Sequence, residues 1–155
     1  MRFRVIAVGT RMPPWVDEVV ADFTRRLPAD WRVEWKPVKA EPRGGGSAGH
    51  WMAREAQRIR EALPDGARLV VLDERGTDLD SAGLWARLAA WQRAGSPVAL
   101  VIGGPDGIDP ALKAQADESL RLSSLTLPHA LVRVLLAEQL YRAWSIGAGH
   151  PYHRE

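Results

Sequence analysis

The most informative absence in this sequence of 155 residues is that of cysteine, which does not occur at all. Without thiols the chain forms no disulfide, has no thiolate nucleophile and offers no cysteine ligand to zinc. The four histidines are scattered and do not provide a metal-ligand spacing such as His-x-x-x-His. The sequence therefore predicts a protein without a bound metal.

Long apolar runs are also absent, and none approaches the length of a membrane span. The first ten residues, MRFRVIAVGT, lack the apolar segment and the small-residue cleavage site of a signal peptide. We therefore expect a cytoplasmic protein with no membrane contact. The length predicts a single domain over residues 1–155, with enough chain for one good core.

The charge is nearly balanced, with a formal net charge of +2 and a sequence pI near 9.4. This excess is too small to coat a polyanion, but clustered basic residues would suit a nucleic-acid partner. Solvated surface charge is the alternative for most of them. The candidates are Arg25, Arg26, Lys36, Lys39, Arg43, Arg133, Arg142 and Arg154.

Strand and helix patterns alternate along the chain. Short apolar or alternating runs at residues 3–8, 31–36, 68–72, 97–102 and 120–122 predict strands, and residues 31–36 have the two-faced pattern of an edge strand. Helical spacing follows at residues 14–27, 52–63, 81–94, from 110 onward and at 131–146. The predicted class is α/β, with a mainly parallel sheet of about five strands and flanking helices.

Ligands of such sheets bind at the carboxyl ends of the strands, and three of these ends are polar or rich in glycine. They lie at residues 72–73, 102–107 and 122–128. The sequence of residues 103–107, GGPDG, is neither a dinucleotide fingerprint nor a Walker loop, so a structural turn is an alternative to a binding loop. Residues 123–128 could likewise bind an adenine through the backbone or cap the last helix.

Residues 39–50, KAEPRGGGSAGH, contain four glycines and predict a flexible loop. Basic residues at its start allow it to order on a phosphate backbone, and a plain connector is the alternative.

The helix predicted over residues 131–146 is apolar almost all round. Such a helix must be covered on every side, and a chain of this length has little material for the task. We expect a second copy of the protein to supply part of the cover, which predicts a homodimer.

Several motifs together resemble a known family. They are Val-Gly-Thr at 8–10, LVIGGPDG at 100–107, LSSLTLPH at 122–129, LYRAWSI at 140–146 and the terminal HPYHRE. These motifs are similar to those of the RlmH family, small bacterial SPOUT-class methyltransferases that act on a pseudouridine of large-subunit ribosomal RNA. The resemblance covers the whole chain and departs most clearly at residues 31–51.

The resemblance implies S-adenosylmethionine as the cofactor, a homodimer, and a trefoil knot in the C-terminal part. The knot is not indicated by periodicity, for which an unknotted doubly wound fold is the default. The partner would be 23S ribosomal RNA, in the large subunit or the whole ribosome, with methylation at N3 of the pseudouridine. The implied cofactor-binding residues are Leu72, Gly103, Gly104, Ser123, Ser124, Leu125, Thr126, Leu127 and Pro128.

Methyl transfer to a ring nitrogen needs in-line positioning and removal of the N–H proton. Glu138 and Arg142 stand four residues apart, so a plain helical ion pair is the alternative to a catalytic role. His129 could equally hydrogen-bond a turn, and the tail suits stacking of a flipped base and binding of phosphate. The predicted catalytic residues are Glu138, Arg142, His129, Tyr152, His153 and Arg154.

Two other functions are considered beside the enzyme. One is a catalytically silent RNA-binding or ribosome-associated factor with the same fold. The other is a serine hydrolase using Ser124 and His129, which lacks the G-x-S-x-G elbow and an assignable acidic partner.

Overall fold

The computed structural model describes residues 1–154, in which strands and helices alternate as predicted. The strands are β1 (Arg2–Val8), β2 (Arg32–Val38), β3 (Arg68–Asp78), β4 (Val98–Ile102) and β5 (Glu118–Arg121). The helices are α1 (Pro14–Arg26), α2 (Ala48–Ala62), α3 (Ser81–Ala94), α4 (Pro110–Gln115) and α5 (His129–Ala148), followed by a short 3₁₀ helix (Pro151–Arg154).

The strands form one sheet in the order β2-β1-β4-β3-β5, and every neighbouring pair is parallel. The prediction of a parallel α/β sheet of about five strands is confirmed. β2 pairs only with β1, so the predicted edge position of this strand is also confirmed. The trefoil knot implied by the resemblance stays a prediction.

Both faces of the sheet are covered by helices, as is usual for parallel sheets. One face packs against α1, α3 and α5, and the other packs against α2 and α4. The first core includes Val5, Val70, Leu100, Leu88, Trp91, Leu136 and Leu140. The second includes Ile6, Val71, Val101, Ala56, Ile59 and Leu112.

The third strand is longer than its apolar run predicts. β3 continues to Asp78, and its pairing with β5 shifts between Leu72 and Thr77. Gly76 lies in this irregular part, where an added Cβ would stand 2.6 Å from the backbone carbon of Leu120. The polar residues after Leu72 had indicated the end of the strand, but the close approach of β5 keeps the chain extended.

The glycine-rich segment is shorter than predicted. Residues 48–50 belong to α2, because Ser47 caps the helix by accepting a hydrogen bond from the backbone N–H of His50. The prediction that the helix begins at Met52 was therefore wrong by one turn. Local capping outweighed the low helix propensity of Gly49.

The last helix, α5, begins at His129 and ends at Ala148, with Gly149 in the left-handed conformation. Pro128 is the N-cap residue and not the first helical residue. Leu136 and Leu140 are buried within the chain, whereas Leu131 in the first turn is 39% exposed. Among residues 1–154 there is no helix that combines the length and the apolarity needed to cross a membrane.

Candidate active site

A cavity of about 650 Å³ opens at the carboxyl ends of β3, β4 and β5. Its wall brings together the three strand ends that the sequence singled out, which lie far apart in the chain. The wall includes Leu72, Gly103, Gly104, Ser123, Leu125, Thr126, Leu127 and Pro128, all predicted cofactor-binding residues, and omits Ser124. Their role in cofactor binding stays a prediction.

The loop over residues 103–107, here called the glycine loop, presents backbone to this cavity. A Cβ at Gly103 would stand 2.7 Å from a side-chain carbon of Ile108, and one at Gly104 would stand 3.0 Å from Val8. Gly107 has φ of +90°, and its N–H donates to the carbonyl of Gly104 at 3.0 Å. The turn is therefore tight enough to require glycine and leaves main-chain groups at the cavity wall.

The segment over residues 122–128 forms the opposite part of the wall. The hydroxyl of Ser123 accepts a hydrogen bond from the N–H of Leu125 at 2.9 Å, which fixes a local turn. The Leu125 side chain is 75% exposed, the largest exposure among the large apolar residues described. An exposed leucine beside a cavity offers apolar surface to a ligand.

His129, at the start of α5, also lines the cavity. Arg133 donates from Nε to Nε2 of His129 at 2.8 Å, so this ring nitrogen is an acceptor. Nδ1 must then carry the proton and donate to the carbonyl of Gly103, 2.9 Å away. Burial lowers the pKa of His129, and the charge of Arg133 lowers it further. A neutral imidazole with both nitrogens engaged is suited to holding Gly103 in place.

These bonds also bear on the hydrolase alternative. The ring of His129 is bonded to Gly103 and Arg133, so it is not available to activate Ser124, and Ser124 does not line the cavity. The arrangement lacks the nucleophile and base of a serine hydrolase.

Arg133 was predicted as a candidate for a basic surface patch, and this prediction was wrong, because the residue is only 6% exposed. Its Nη2 donates to the carbonyl of Gly9 at 2.6 Å and more weakly to that of Val8 at 3.4 Å. Burial lowers the pKa of Arg133. Arg133 and His129 together tie the ends of β1 and β4 to α5. The signal in the sequence was their spacing of four residues, which aligns them on one helix face.

A second polar cluster lies further along α5, around the carboxylate of Glu138. Oε1 of Glu138 accepts from Nε of Arg142 at 2.9 Å and from the hydroxyl of Tyr152 at 2.9 Å. Oε2 accepts from the side chain of Gln139 at 2.7 Å. The hydrogen bond to Glu138 raises the pKa of Arg142. Burial, with the hydrogen bond to Glu138, raises the pKa of Tyr152 to about 12. The helical ion pair considered as an alternative is therefore present.

The tail folds back onto its own chain. The ring of Tyr152 lies 4.7 Å from that of Tyr141 and 6.3 Å from that of Phe23, between centroids. Nδ1 of His153 is buried and has no hydrogen-bond partner within residues 1–154, whereas Arg154 is exposed. Glu155, the last residue of the tail, lies outside the described residues.

The predicted catalytic residues thus fall into two groups. Only His129 lines the cavity; Glu138, Arg142, Tyr152, His153 and Arg154 do not. Glu138 follows His129 by nine residues, a rise of about 13 Å along the helix. One chain therefore does not bring the two groups together around its own cavity.

Some charged residues at the cavity were missed by the sequence predictions. Lys113 donates to the carboxylate of Asp73 at 3.0 Å, and Arg121 contacts Asp78 at 3.3 Å. Asp106 lies on the glycine loop and bonds to Arg43. Within residues 1–154, no group of three or more histidine, aspartate or glutamate side chains could hold a metal ion.

Comparison with known proteins extends over the full chain. A family described as "Predicted SPOUT methyltransferase" matches residues 1–153. A protein of Variovorax paradoxus named "Ribosomal RNA large subunit methyltransferase H" is 58% identical over 155 residues, covering 100% of both chains. A protein of the same name from Methylibium petroleiphilum is 60% identical over 156 residues, again covering 100% of both.

A solved structure of "a probable methylase family protein" from Haemophilus influenzae has a similar fold. Its TM-score is 0.56 at 12% sequence identity, and the match covers 97% of this chain and 69% of the other. Identity this low supports the fold alone.

Proposed function

The chain belongs to the SPOUT methyltransferase family, and we propose that it transfers a methyl group from S-adenosylmethionine to N3 of a pseudouridine in 23S ribosomal RNA. The observation that carries this proposal is the full-length identity of 58% and 60% to two proteins named as large-subunit ribosomal RNA methyltransferases. The choice of N3 and of pseudouridine rests on the motif resemblance. The site of action would be the cytoplasm, on the assembled ribosome.

The cavity fits the proposed cofactor in size and in chemistry. Its volume of about 650 Å³ is in the usual range for sites of drug-sized ligands. Leu72, Leu122 and Val132 offer apolar wall for an adenine, while the glycine loop offers main-chain donors and acceptors. When bound, S-adenosylmethionine would supply an electrophilic methyl group on a sulfonium. The role of this chain is then to hold the donor and the accepting nitrogen in line.

We assign the capture of the RNA base to the tail and the Glu138 cluster. Tyr152 and His153 offer rings for stacking, and the exposed Arg154 offers a cation for phosphate. With a pKa of about 12, Tyr152 is protonated at neutral pH, so in this arrangement it donates a hydrogen bond and is not the base. Glu138 is the carboxylate of the cluster and orients both Tyr152 and Arg142.

The separation of the two groups within one chain supports a site shared between two copies. Five of the six predicted catalytic residues lie away from their own cavity. Trp15 on α1 is 46% exposed and Leu131 on α5 is 39% exposed, and these helices pack on each other through Val16, Val20 and Ala137. We propose that a second copy covers this apolar surface and brings its tail to the cavity of the first.

The experiment that tests the reaction is mass spectrometry of ribosomal RNA nucleosides from a strain that lacks the gene. A methylated pseudouridine should disappear and return when the gene is restored. If every methylated pseudouridine persists, the proposed substrate is wrong.

A cofactor titration distinguishes the proposed enzyme from the alternative, a catalytically silent RNA-binding factor. Calorimetry with purified protein should detect binding of S-adenosylmethionine to the wild type. Absence of binding, with RNA binding retained, would favour the silent factor.

A further inference from the structure

The glycine-rich segment before α2 makes contacts that a plain connector does not need. Arg43, in this segment, donates from Nε and Nη2 to one oxygen of Asp106, at 3.1 and 2.8 Å. Its Nη1 donates to Glu55 at 2.6 Å and to the backbone carbonyl of Glu41 at 2.5 Å. One guanidinium thus joins a residue of α2 to a residue of the glycine loop. Arg43 and Asp106 are 63 residues apart in the sequence.

Glu55 is the buried carboxylate to which Arg43 is bonded. Its side chain is only 3% exposed, and Arg43 is its only ion-pair partner within residues 1–154. The carboxylate also accepts the N–H of Glu41 at 3.0 Å. A Cβ at Gly104 would stand 3.1 Å from Oε1 of Glu55, so this carboxylate packs directly behind the glycine loop. A buried carboxylate needs its cation, which makes the position of Arg43 specific.

We propose that Arg43 is a positioning residue for the glycine loop. It ties Asp106 to the buried Glu55 and thereby holds the backbone of residues 103–107 in the shape that forms the cavity wall. Neither Arg43 nor Glu55 lines the cavity. Arg43 therefore acts on cofactor affinity through the position of the loop. The proposal deepens the proposed function, because it rests on S-adenosylmethionine binding in that cavity.

The alternative for Arg43 is a contact with an RNA phosphate, as the basic start of the segment had indicated. The structure disfavours it, because all three nitrogens of the guanidinium already donate to Asp106, Glu55 or Glu41. The group also lies 5.4 Å from the ring centroid of Trp51. A phosphate would have to displace a buried carboxylate from its cation.

The test compares cofactor affinity with RNA dependence. Calorimetry should show that Arg43→Ala weakens S-adenosylmethionine binding by about tenfold or more, a change of about 1.4 kcal/mol. The RNA concentration for half-maximal rate should change by less than about threefold. Arg43→Lys should fall between, because one ammonium does not reproduce the fork that spans two carboxylates. Arg54→Ala is the matched control. The Arg54 side chain is 55% exposed, and its ion pair with Glu41 is long, at 4.0 Å, so its loss should have little effect.

A second variant guards against simple unfolding. Arg43→Ala leaves Glu55 as a buried charge without a cation, so Arg43→Ala with Glu55→Gln is measured beside it. The double variant lacks the charge and should fold, yet it should still bind the cofactor weakly. Hydrogen exchange of the amides of residues 103–107, measured without cofactor, should be faster in both variants than in the wild type and in Arg54→Ala.

The outcomes separate the two proposals. If the wild type binds S-adenosylmethionine and the folded variants bind it equally well, Arg43 does not position the loop. If RNA dependence changes and cofactor affinity does not, Arg43 contacts RNA instead. If the wild type binds no cofactor, the proposed function fails, while the exchange data still decide whether Arg43 holds the loop.

Discussion

Two polar clusters on α5 have opposite character, one in its first turns and one that begins at its middle. In the first turns, the side chains of His129 and Arg133 bond to the neutral backbone carbonyls of Gly103 and Gly9. In the middle of the helix, the carboxylate of Glu138 bonds to the cation of Arg142, one turn further on, and to the hydroxyl of Tyr152 in the 3₁₀ helix that follows.

We interpret the first cluster as a scaffold and the second as the set of groups proposed to act on the substrate. Backbone carbonyls at the ends of buried strands cannot move away, so His129 and Arg133 are held by the sheet. In the Glu138 cluster, Glu138 and Arg142 are on α5, but Tyr152 is on a single 3₁₀ turn, and the side chains are partly exposed, 16% for Glu138 and 22% for Arg142. We therefore expect the cluster of His129 and Arg133 to shape the cavity and the Glu138 cluster to meet RNA.

The largest effect should come from deleting residues 152–155. Loss of the tail should abolish methyl transfer, because it removes the aromatic and cationic groups proposed to hold the base. Affinity for S-adenosylmethionine should stay within about tenfold, or under about 1.4 kcal/mol. Methyl incorporation and calorimetry measure the two. If the shortened enzyme is fully active, the tail has no role in catalysis.

The same deletion tests the shared site by complementation. Subunits without the tail are mixed with full-length subunits carrying Gly104→Trp. This side chain has to displace the glycine loop and so deform the cavity wall, because a Cβ at Gly104 would stand 3.0 Å from Val8 and 3.1 Å from Glu55. Heterodimers should regain activity, because one intact cavity can meet one intact tail. Inactive heterodimers, once their formation is confirmed, would place each site within one chain.

Two leucines of α5 distinguish assembly from folding. Leu131→Asp should dissociate the proposed dimer while the monomer stays folded, because this side chain is 39% exposed. Leu136→Asp should unfold the chain, since Leu136 is 2% exposed and a buried charge without a partner costs several kcal/mol. Sedimentation and circular dichroism measure the two properties. If the wild type is a stable monomer in sedimentation, the proposed dimer is wrong.

The stability of the protein should depend on pH through His129, at the start of α5. The folded pKa of His129 lies below its ordinary value of 6.5, so the fold favours the neutral ring. Its contribution to stability should be complete above pH 6.5 and should decline as the pH falls toward the folded pKa. Urea unfolding from pH 7.5 to 5 should show this decline in the wild type and less of it in His129→Asn. Equal pH profiles for the two proteins would contradict the assignment.

The smallest effect is expected from the hydroxyl of Tyr152, in the 3₁₀ helix after α5. Tyr152→Phe keeps the ring against Tyr141 and loses the hydrogen bond to Glu138, so stability should fall by about 1 kcal/mol. Tyr141→Phe is the control, because Tyr141 packs against the same ring, while the bonds of Glu138 are to Arg142, Tyr152 and Gln139. If this hydroxyl meets the RNA base, the loss of kcat/KM, expressed as a free energy, should exceed the loss in the free energy of unfolding.

Local patterns were sufficient to predict the architecture. Alternation and helical spacing predicted the α/β class and the edge position of β2, because they report which side of an element is buried. The glycines of residues 103–107 indicated a close backbone approach, and the structure contains one. The family motifs indicated the reaction, about which the periodicity of the sequence gives no information.

Only the tertiary structure decided which charges are buried and what they bond. Arg133 and Arg43 look like ordinary basic residues in the sequence, yet one bonds to Gly9 and the other joins Glu55 to Asp106. The carbonyl of Gly9 is 124 residues from Arg133, and no local rule reports a partner so distant. The sequence by itself determined the elements and the residue types at the strand ends. The packing of the sheet determined that His129 is bonded on both nitrogens and that the tail lies away from its own cavity, because both depend on contacts between distant segments.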